Sequence, residues 1–364
     1  MLVDLFGLAR GYGLSFGFGT ISTYHLLAYV KKEQLKDLIL FHLTALLACL
    51  SNFTLVTIYS ALLVVYTTIL LIKHILYERN WVEIWNKLKL HIIPFSVVFL
   101  VMYEPIRRLL TESDLGFGGK EGFFHNTVFH FVMNMLSLDH APEHTELYKW
   151  IVLILGILPL LIILKKIYDR NEIFLRNHIE LIFTSLLMIV VSLIIIAQHI
   201  ILDADYPVSR FSMFLFPIYM IQFGFFMNYL TTVKWLKAPT IILAVSASIL
   251  TILNFISKAD LYVYKEWEYD SQTRNMISVL TNEVDKENLK SMNMGIDWMF
   301  EPAINYYIVK NQLTWLNTVD RNGISPTDEY LYIESKHLPK YYQFKYCIVK
   351  RFKQSKTILL RNIQ

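Results

Sequence analysis

The chain has 364 residues, 55% hydrophobic and 18% charged, with a net charge of +4. An ordinary soluble domain has no need of charge-free apolar runs such as residues 150–164 and 181–197, which approach the length that crosses a hydrocarbon layer of roughly 30 Å. The small basic excess sits mostly in short loops and gives nucleic-acid binding little support. The two cysteines, Cys49 and Cys347, make neither a disulfide framework nor a metal set.

Hydropathy predicts eight spans, at 11–30, 38–51, 54–72, 92–105, 150–164, 179–200, 211–229 and 239–256. The expected fold is therefore an all-α polytopic bundle of about eight spans, over residues 1–257, followed by a second domain over 258–364. Basic residues cluster in every second loop: Lys31, Lys32 and Lys36; Lys73, Arg79, Lys87 and Lys89; Lys165, Lys166, Arg170 and Arg176; Lys234 and Lys237. The positive-inside rule makes those loops cytoplasmic and leaves the segments near 52, 106–149 and 201–210 outside. Arg107 and Arg108 run against the trend, but they open a long loop, where the rule is weaker.

Both chain ends fall outside by the same parity. Met1-Leu-Val-Asp-Leu-Phe-Gly begins there with no signal peptide and no earlier span, and it reads like the middle of a longer chain. Unaided translocation of a short tail is the other reading.

The first span opens with Leu8-Ala-Arg-Gly-Tyr-Gly-Leu-Ser15 and continues with Gly17 and Gly19, small residues that let helices approach closely. Spans two and three make a hairpin around Ser51-Asn-Phe-Thr54. Residues 77–91 place aromatic and apolar side chains at helical spacing among charges, which suits a helix lying in the inner interface. The outer segment 106–149 carries Gly116-Phe-Gly-Gly-Lys-Glu-Gly122 and then 123–138, amphipathic if helical. Two outer interfacial helices joined by the glycine turn are expected, and loops of this length are usually functional. The glycine turn follows no strand and lacks the P-loop pattern, so it is a weak phosphate signal.

After the last span charges and tyrosines rise. Helices are expected at 270–288 and 301–310, and strands at 291–296, 313–319, 330–333, 346–350 and 357–360, making a small extracytoplasmic α/β domain.

Arg10 and Arg210 stand at outer helix ends. Snorkelling toward headgroups accounts for one such arginine; two of them, against the charge trend, point to an anionic ligand such as a lipid phosphate, which a planar guanidinium binds in two places. Asp203 and Asp205 precede Arg210 and read first as loop-capping, arginine-pairing groups and second as a catalytic base. His199 and Gln198 end the sixth span, where they line a possible cavity. His125, His130, His140 and His144 match no zinc spacing, so no metal is expected, and no cofactor.

Several stretches resemble one family: Leu8-Ala-Arg-Gly-Tyr-Gly-Leu-Ser, Gly118-Gly-Lys-Glu-Gly-Phe-Phe, Tyr206-Pro-Val-Ser-Arg-Phe-Ser-Met-Phe-Leu-Phe-Pro217 and Asp297-Trp-Met-Phe-Glu-Pro-Ala-Ile-Asn-Tyr-Tyr307. Through nearly its whole length the chain resembles bacterial GT-C membrane glycosyltransferases of the dolichyl-phosphate-mannose-protein mannosyltransferase-like and aminoarabinose-transferase-like group. The resemblance implies an enzyme of the cell envelope, in the cytoplasmic (inner) membrane. It implies transfer of a sugar, with inversion, from a polyprenyl-phosphate donor to a glycan, lipid or protein acceptor at the outer face. It places Arg10, Tyr12 and Arg210 near the donor phosphate. The family's catalytic carboxylate belongs to an outer loop between its first two spans, which has no counterpart here, and Asp4 lies too close to Arg10 to replace it. The catalytic residue is therefore unknown, and weak donor binding with poor turnover is the expectation. A secondary transporter is the alternative of another class, but internal repeats and mid-membrane charges are not evident. A non-catalytic binding or structural membrane protein is the third reading.

Overall fold

The structure is a computed structural model that describes residues 11–77, 80–111, 118–136, 144–258, 265–287, 290–325, 327–341 and 346–363. Two compact units share the chain, Met1–Ala259 and Asp260–Gln364.

The first unit is helical: α1 (Tyr12–Lys32), α2 (Leu35–Ser51), α3 (Leu55–Tyr77), α4 (Trp81–Thr111), α5 (Phe129–Met135), α6 (Thr145–Tyr168), α7 (Glu172–Asn177), α8 (Ile179–Leu202), α9 (Leu215–Thr232) and α10 (Lys237–Lys258). Six stretches among the described residues are long and apolar enough to cross a bilayer: Leu55–Leu76, Trp81–Arg108, Thr145–Tyr168, Ile179–Leu202, Ser209–Thr232 and Lys237–Ser257. The other two expected spans also form helices, α1 and α2. Neither reaches that measure, α2 because it has only 17 residues and α1 because Ser15, Thr20, Ser22 and Thr23 interrupt its apolar sequence.

Burial explains the arrangement. Leu26 of α1, Phe41 of α2, Leu62 and Val65 of α3, and Phe183 and Val191 of α8 are essentially excluded from solvent and share one core. By contrast, only 6% of the apolar stretch of α10 is buried within the protein. Its Ile242, Leu250 and Ile256 stand exposed, as do Ile93 and Leu100 of α4. Apolar faces of that extent with no protein cover are what a bilayer would solvate, so the fold is compatible with a multi-pass membrane protein.

Two local features depart from expectation. Residues 77–91 do not form a separate interfacial helix: Trp81–Thr111 is one helix of 31 residues, with Pro94 and Pro105 inside it. Pro94 stands at the junction of the charged and apolar halves, but each proline removes only one rung of a long hydrogen-bond ladder and the helix continues through both. The segment after α4 is also more irregular than one amphipathic helix. A π-helical turn, Phe124–Val128, leads into the seven-residue α5.

The second unit contains α11 (Thr273–Glu287) and α12 (Glu301–Asn311) with β1 (Met294–Ile296), β2 (Tyr330–Glu334), β3 (Tyr346–Phe352) and β4 (Thr357–Asn362). The sheet order is β1-β2-β4-β3, with β1 parallel to β2 and the other pairs antiparallel. Strand alternation sends Tyr330 and Tyr332 to a core shared with Met276 and Leu280 of α11, with Phe300 just before α12 and with Ile304 of α12. Leu331 and Ile333 go to the opposite face, with Ile358 and Leu360. The strand expected at 313–319 is reduced to a single bridge between Met292 and Leu316. The backbone of Val319 is satisfied by a side chain instead. Asn305 Oδ1 accepts its N–H at 3.0 Å, and Asn305 Nδ2 donates to its carbonyl at 2.9 Å.

Candidate functional site

The segment after α8 is built to hold a tight turn. Asp203 ends α8 in the left-handed region, φ 52°, and stands exposed. The His199 ring folds back over the loop, with Nδ1 2.8 Å from the Ala204 carbonyl and its plane over Tyr206 at 4.2 Å. His199 therefore braces the loop. Its neighbour Gln198 donates from Nε2 to Thr57 Oγ1 of α3 at 3.1 Å.

The glycine turn of 118–122 comes to the same place. Gly119 and Tyr206 exchange both backbone hydrogen bonds, at 3.1 and 2.9 Å. The Asp205 side chain is nearly inaccessible, accepts the Gly118 N–H at Oδ2 (3.1 Å), and lies 4.0 Å from Lys120 Nζ. Asp205 thus joins two loops, and its charge is offset by a backbone amide and a lysine. Asn126 locks the far side of the turn by accepting the Gly122 N–H at 3.0 Å.

Arg210 lies in the short 3-10 turn Ser209–Ser212, which leads straight into α9. Ser209 is itself in the left-handed region, φ 48°, a strained conformation for a residue with a Cβ. What holds it is Asn134 of α5, whose Nδ2 donates to the Ser209 carbonyl at 2.7 Å, together with Ser212 Oγ, which donates to the same carbonyl at 2.8 Å. The guanidinium is half-buried, 5.1 Å from the Phe211 ring. Arg210 is therefore placed by α5 and by the 118–122 turn as well as by its own segment.

Further along the chain, Phe214 and Pro217 and Ile218 of α9 line a narrow apolar cleft of about 20 Å³ with Phe16 and Gly19 of α1 and Leu55 of α3. Tyr12, one helical turn before Phe16, is buried and opens α1. Gly11 makes that start possible. It has φ 74°, and a Cβ there would lie 2.1 Å from the Ser51 carbonyl oxygen at the end of α2. Arg10 lies outside the described residues.

α5 is anchored from its other side by Lys149 of α6. This lysine is 2% exposed, pairs with Glu146 at 2.5 Å, and sits 4.7 Å from the Phe124 ring and 5.7 Å from that of Phe129. Burial lowers the pKa of the His130 imidazole on α5, which keeps the ring neutral at pH 7. Asn126, Asn134 and Lys149 escaped the sequence reading. The one available signal was polarity, clearest for Asn134, an isolated amide in the apolar run of residues 131–136.

Of the four histidines between α4 and α6, His125, His130 and His144 form no metal cluster among the described residues, and His140 lies outside them. The grouping with metal-like spread is elsewhere, in the second unit: Asp297, Glu334 and His337. There Asp297 Oδ2 already accepts the Glu334 N–H and faces His337 Nδ1, each at 2.8 Å, and Lys336 Nζ lies 2.8 Å from Glu334 Oε2. A hydrogen-bonded clasp of β2 against the 297 turn accounts for that geometry. In comparisons with known proteins, the chain matches no family model, no curated protein and no solved structure.

Proposed function

We propose that the chain binds a polyprenyl-phosphate-linked sugar in the membrane and serves its inverting transfer to a glycan, lipid or protein acceptor. The observation that carries this reading is the placement of Arg210, a half-buried residue in a turn that Asn134 of α5 holds at the head of the apolar helix α9. A planar cation at the head of an apolar helix suits a ligand with a phosphate head and a hydrocarbon tail. In the reaction, the bond between the anomeric carbon and the phosphate oxygen breaks as the oxygen of an acceptor hydroxyl attacks from the opposite face and its proton passes to solvent water. Negative charge then grows on the departing phosphate, and Arg210 stabilises it there. Asp205 is committed to Gly118 and Lys120, so its role is to position the loop.

The proposed site lies on the outer face of the cytoplasmic membrane, by the charge bias of the loops. Two spans follow it, so the chain that leaves α10 into the C-terminal unit is extracytoplasmic as well.

The test compares binding of a polyprenyl phosphate and the corresponding polyprenol by the full chain in nanodiscs. The phosphate should be preferred. Arg210→Ala should erase the preference by weakening phosphate binding about 10- to 100-fold, the span of a charge-assisted contact. Arg210→Lys should restore only part of it. Equal affinity for phosphate and alcohol in the unaltered chain would refute the reading.

A further inference from the structure

A separate cavity lies at the other end of α8, which has 24 residues and so runs about 36 Å from the Arg210 loop. Its volume is about 460 Å³, inside the range of about 300–1,000 Å³ usual for small-molecule sites. Its walls come from the last turns of α1 and α3, from α7, and from the first turns of α8. Ile69, Ile72, Leu76, Leu175, Ile179 and Ile182 make them apolar. Three cations border the same space: Lys31, Lys73 and Arg176.

Dipole compensation explains part of this charge. Lys31 ends α1, and Lys73 Nζ reaches the Val30 carbonyl at 3.3 Å, where the last carbonyls of α1 gather. The acids nearby are engaged. Glu180 pairs with Lys31 at 2.5 Å and Glu33 with Lys87 at 2.6 Å. Among the residues that line the cavity, three are cationic and none is acidic. Dipole compensation does not account for a cavity of this size beside the lysines.

We propose that this cavity is a binding site for an anionic glycerophospholipid. Its phosphodiester sits among Lys31, Lys73 and Arg176, and the upper part of its acyl chains lies along Ile69, Ile72 and Ile182. Neither feature alone selects that ligand. A soluble phosphate gains nothing from six aliphatic walls, and a zwitterionic lipid brings its own cation to a basic rim. A headgroup with net negative charge and an attached chain uses both. The site is independent of Arg210 and of any sugar transfer, and it would hold lipid whether or not the proposed activity is correct.

The experiment is native mass spectrometry of the full chain released from nanodiscs of phosphatidylglycerol mixed with phosphatidylcholine. Phosphatidylglycerol should be retained in preference. Arg176→Gln and Lys73→Met, which keeps the aliphatic stem, should each reduce its retention about fivefold, the worth of one cation near a lipid surface. Ile72→Trp fills the cavity without altering charge and should abolish retention, while the protein keeps its melting temperature in detergent. Soluble glycerol phosphate at millimolar concentration should not compete. Equal retention of the two lipids, unchanged retention in Ile72→Trp, or full competition by glycerol phosphate would each overturn the proposal.

Discussion

The Asp205 carboxylate accepts the Gly118 N–H at 3.1 Å, although the two residues stand 87 apart in sequence. That contact, with the Gly119–Tyr206 backbone pair beside it, turns two separate loops into one frame around Arg210. The frame depends on close approach: a Cβ at Gly118 would lie 2.4 Å from the Tyr206 carbonyl oxygen, and one at Gly119 2.1 Å from Asn126 Nδ2.

Gly119→Ala is therefore expected to open the frame. Hydrogen exchange in nanodiscs should show the Tyr206 amide losing protection, with a local cost of about 1–3 kcal/mol. Asp205→Asn keeps an acceptor but loses its charge, and should cost about 1 kcal/mol. An unchanged Tyr206 amide in Gly119→Ala would mean that the glycine turn does not hold the loop.

Within the helical unit, His42 Nδ1 lies 3.1 Å from Tyr59 Oη, and His42 Nε2 lies 3.1 Å from His91 Nδ1. Both histidines are buried, and His91 Nε2 has no hydrogen-bond partner among the described residues. Removing one ring strands the other, so His42→Phe should lower stability by about 1–3 kcal/mol. Replacing both should cost less than the sum of the single changes, because no unpaired nitrogen then remains to face the first vacated position. Thermal melting of the four proteins in detergent closes that cycle; strict additivity would show that the two rings are not coupled.

In the C-terminal unit, burial raises the pKa of Asp270, against the opposing hydrogen bond from Thr273 Oγ1. Burial likewise raises that of Asp328, with Glu329 and Asp320 adding to it and the Ser325 amide opposing it. A raised carboxyl pKa means that the folded form binds the proton more tightly than the unfolded form. Stability contributed by these groups is therefore greatest in acid. It is lost as pH rises from the ordinary carboxylate range through the raised folded values. Asp270→Asn should flatten part of that decline, and Asp270→Asn with Asp328→Asn more of it. Urea-dependent proteolysis within this unit, between about pH 4 and 7, reads the slope directly. A slope unchanged in the double variant would assign the decline to other groups.

Helix periodicity and sustained hydropathy already mark the helical stretches, and the rise in charge and tyrosine after residue 258 marks a change of character. Neighbouring residues carry those signals. The strand pattern at 313–319 misleads for the same reason. Its alternation is local, while the group that satisfies Val319 is Asn305, on a helix that precedes it.

Sequence by itself determined the apolar helices and the basic loops, since composition and spacing are properties of one strand of chain. Only the tertiary structure decided that Gly118 and Asn134 brace the Arg210 loop, and that Lys31, Lys73 and Arg176 border one cavity. Contacts between residues 40 to 150 positions apart leave no periodic trace. They follow from which faces of the helices are buried against each other, and that is settled by packing rather than by local preference.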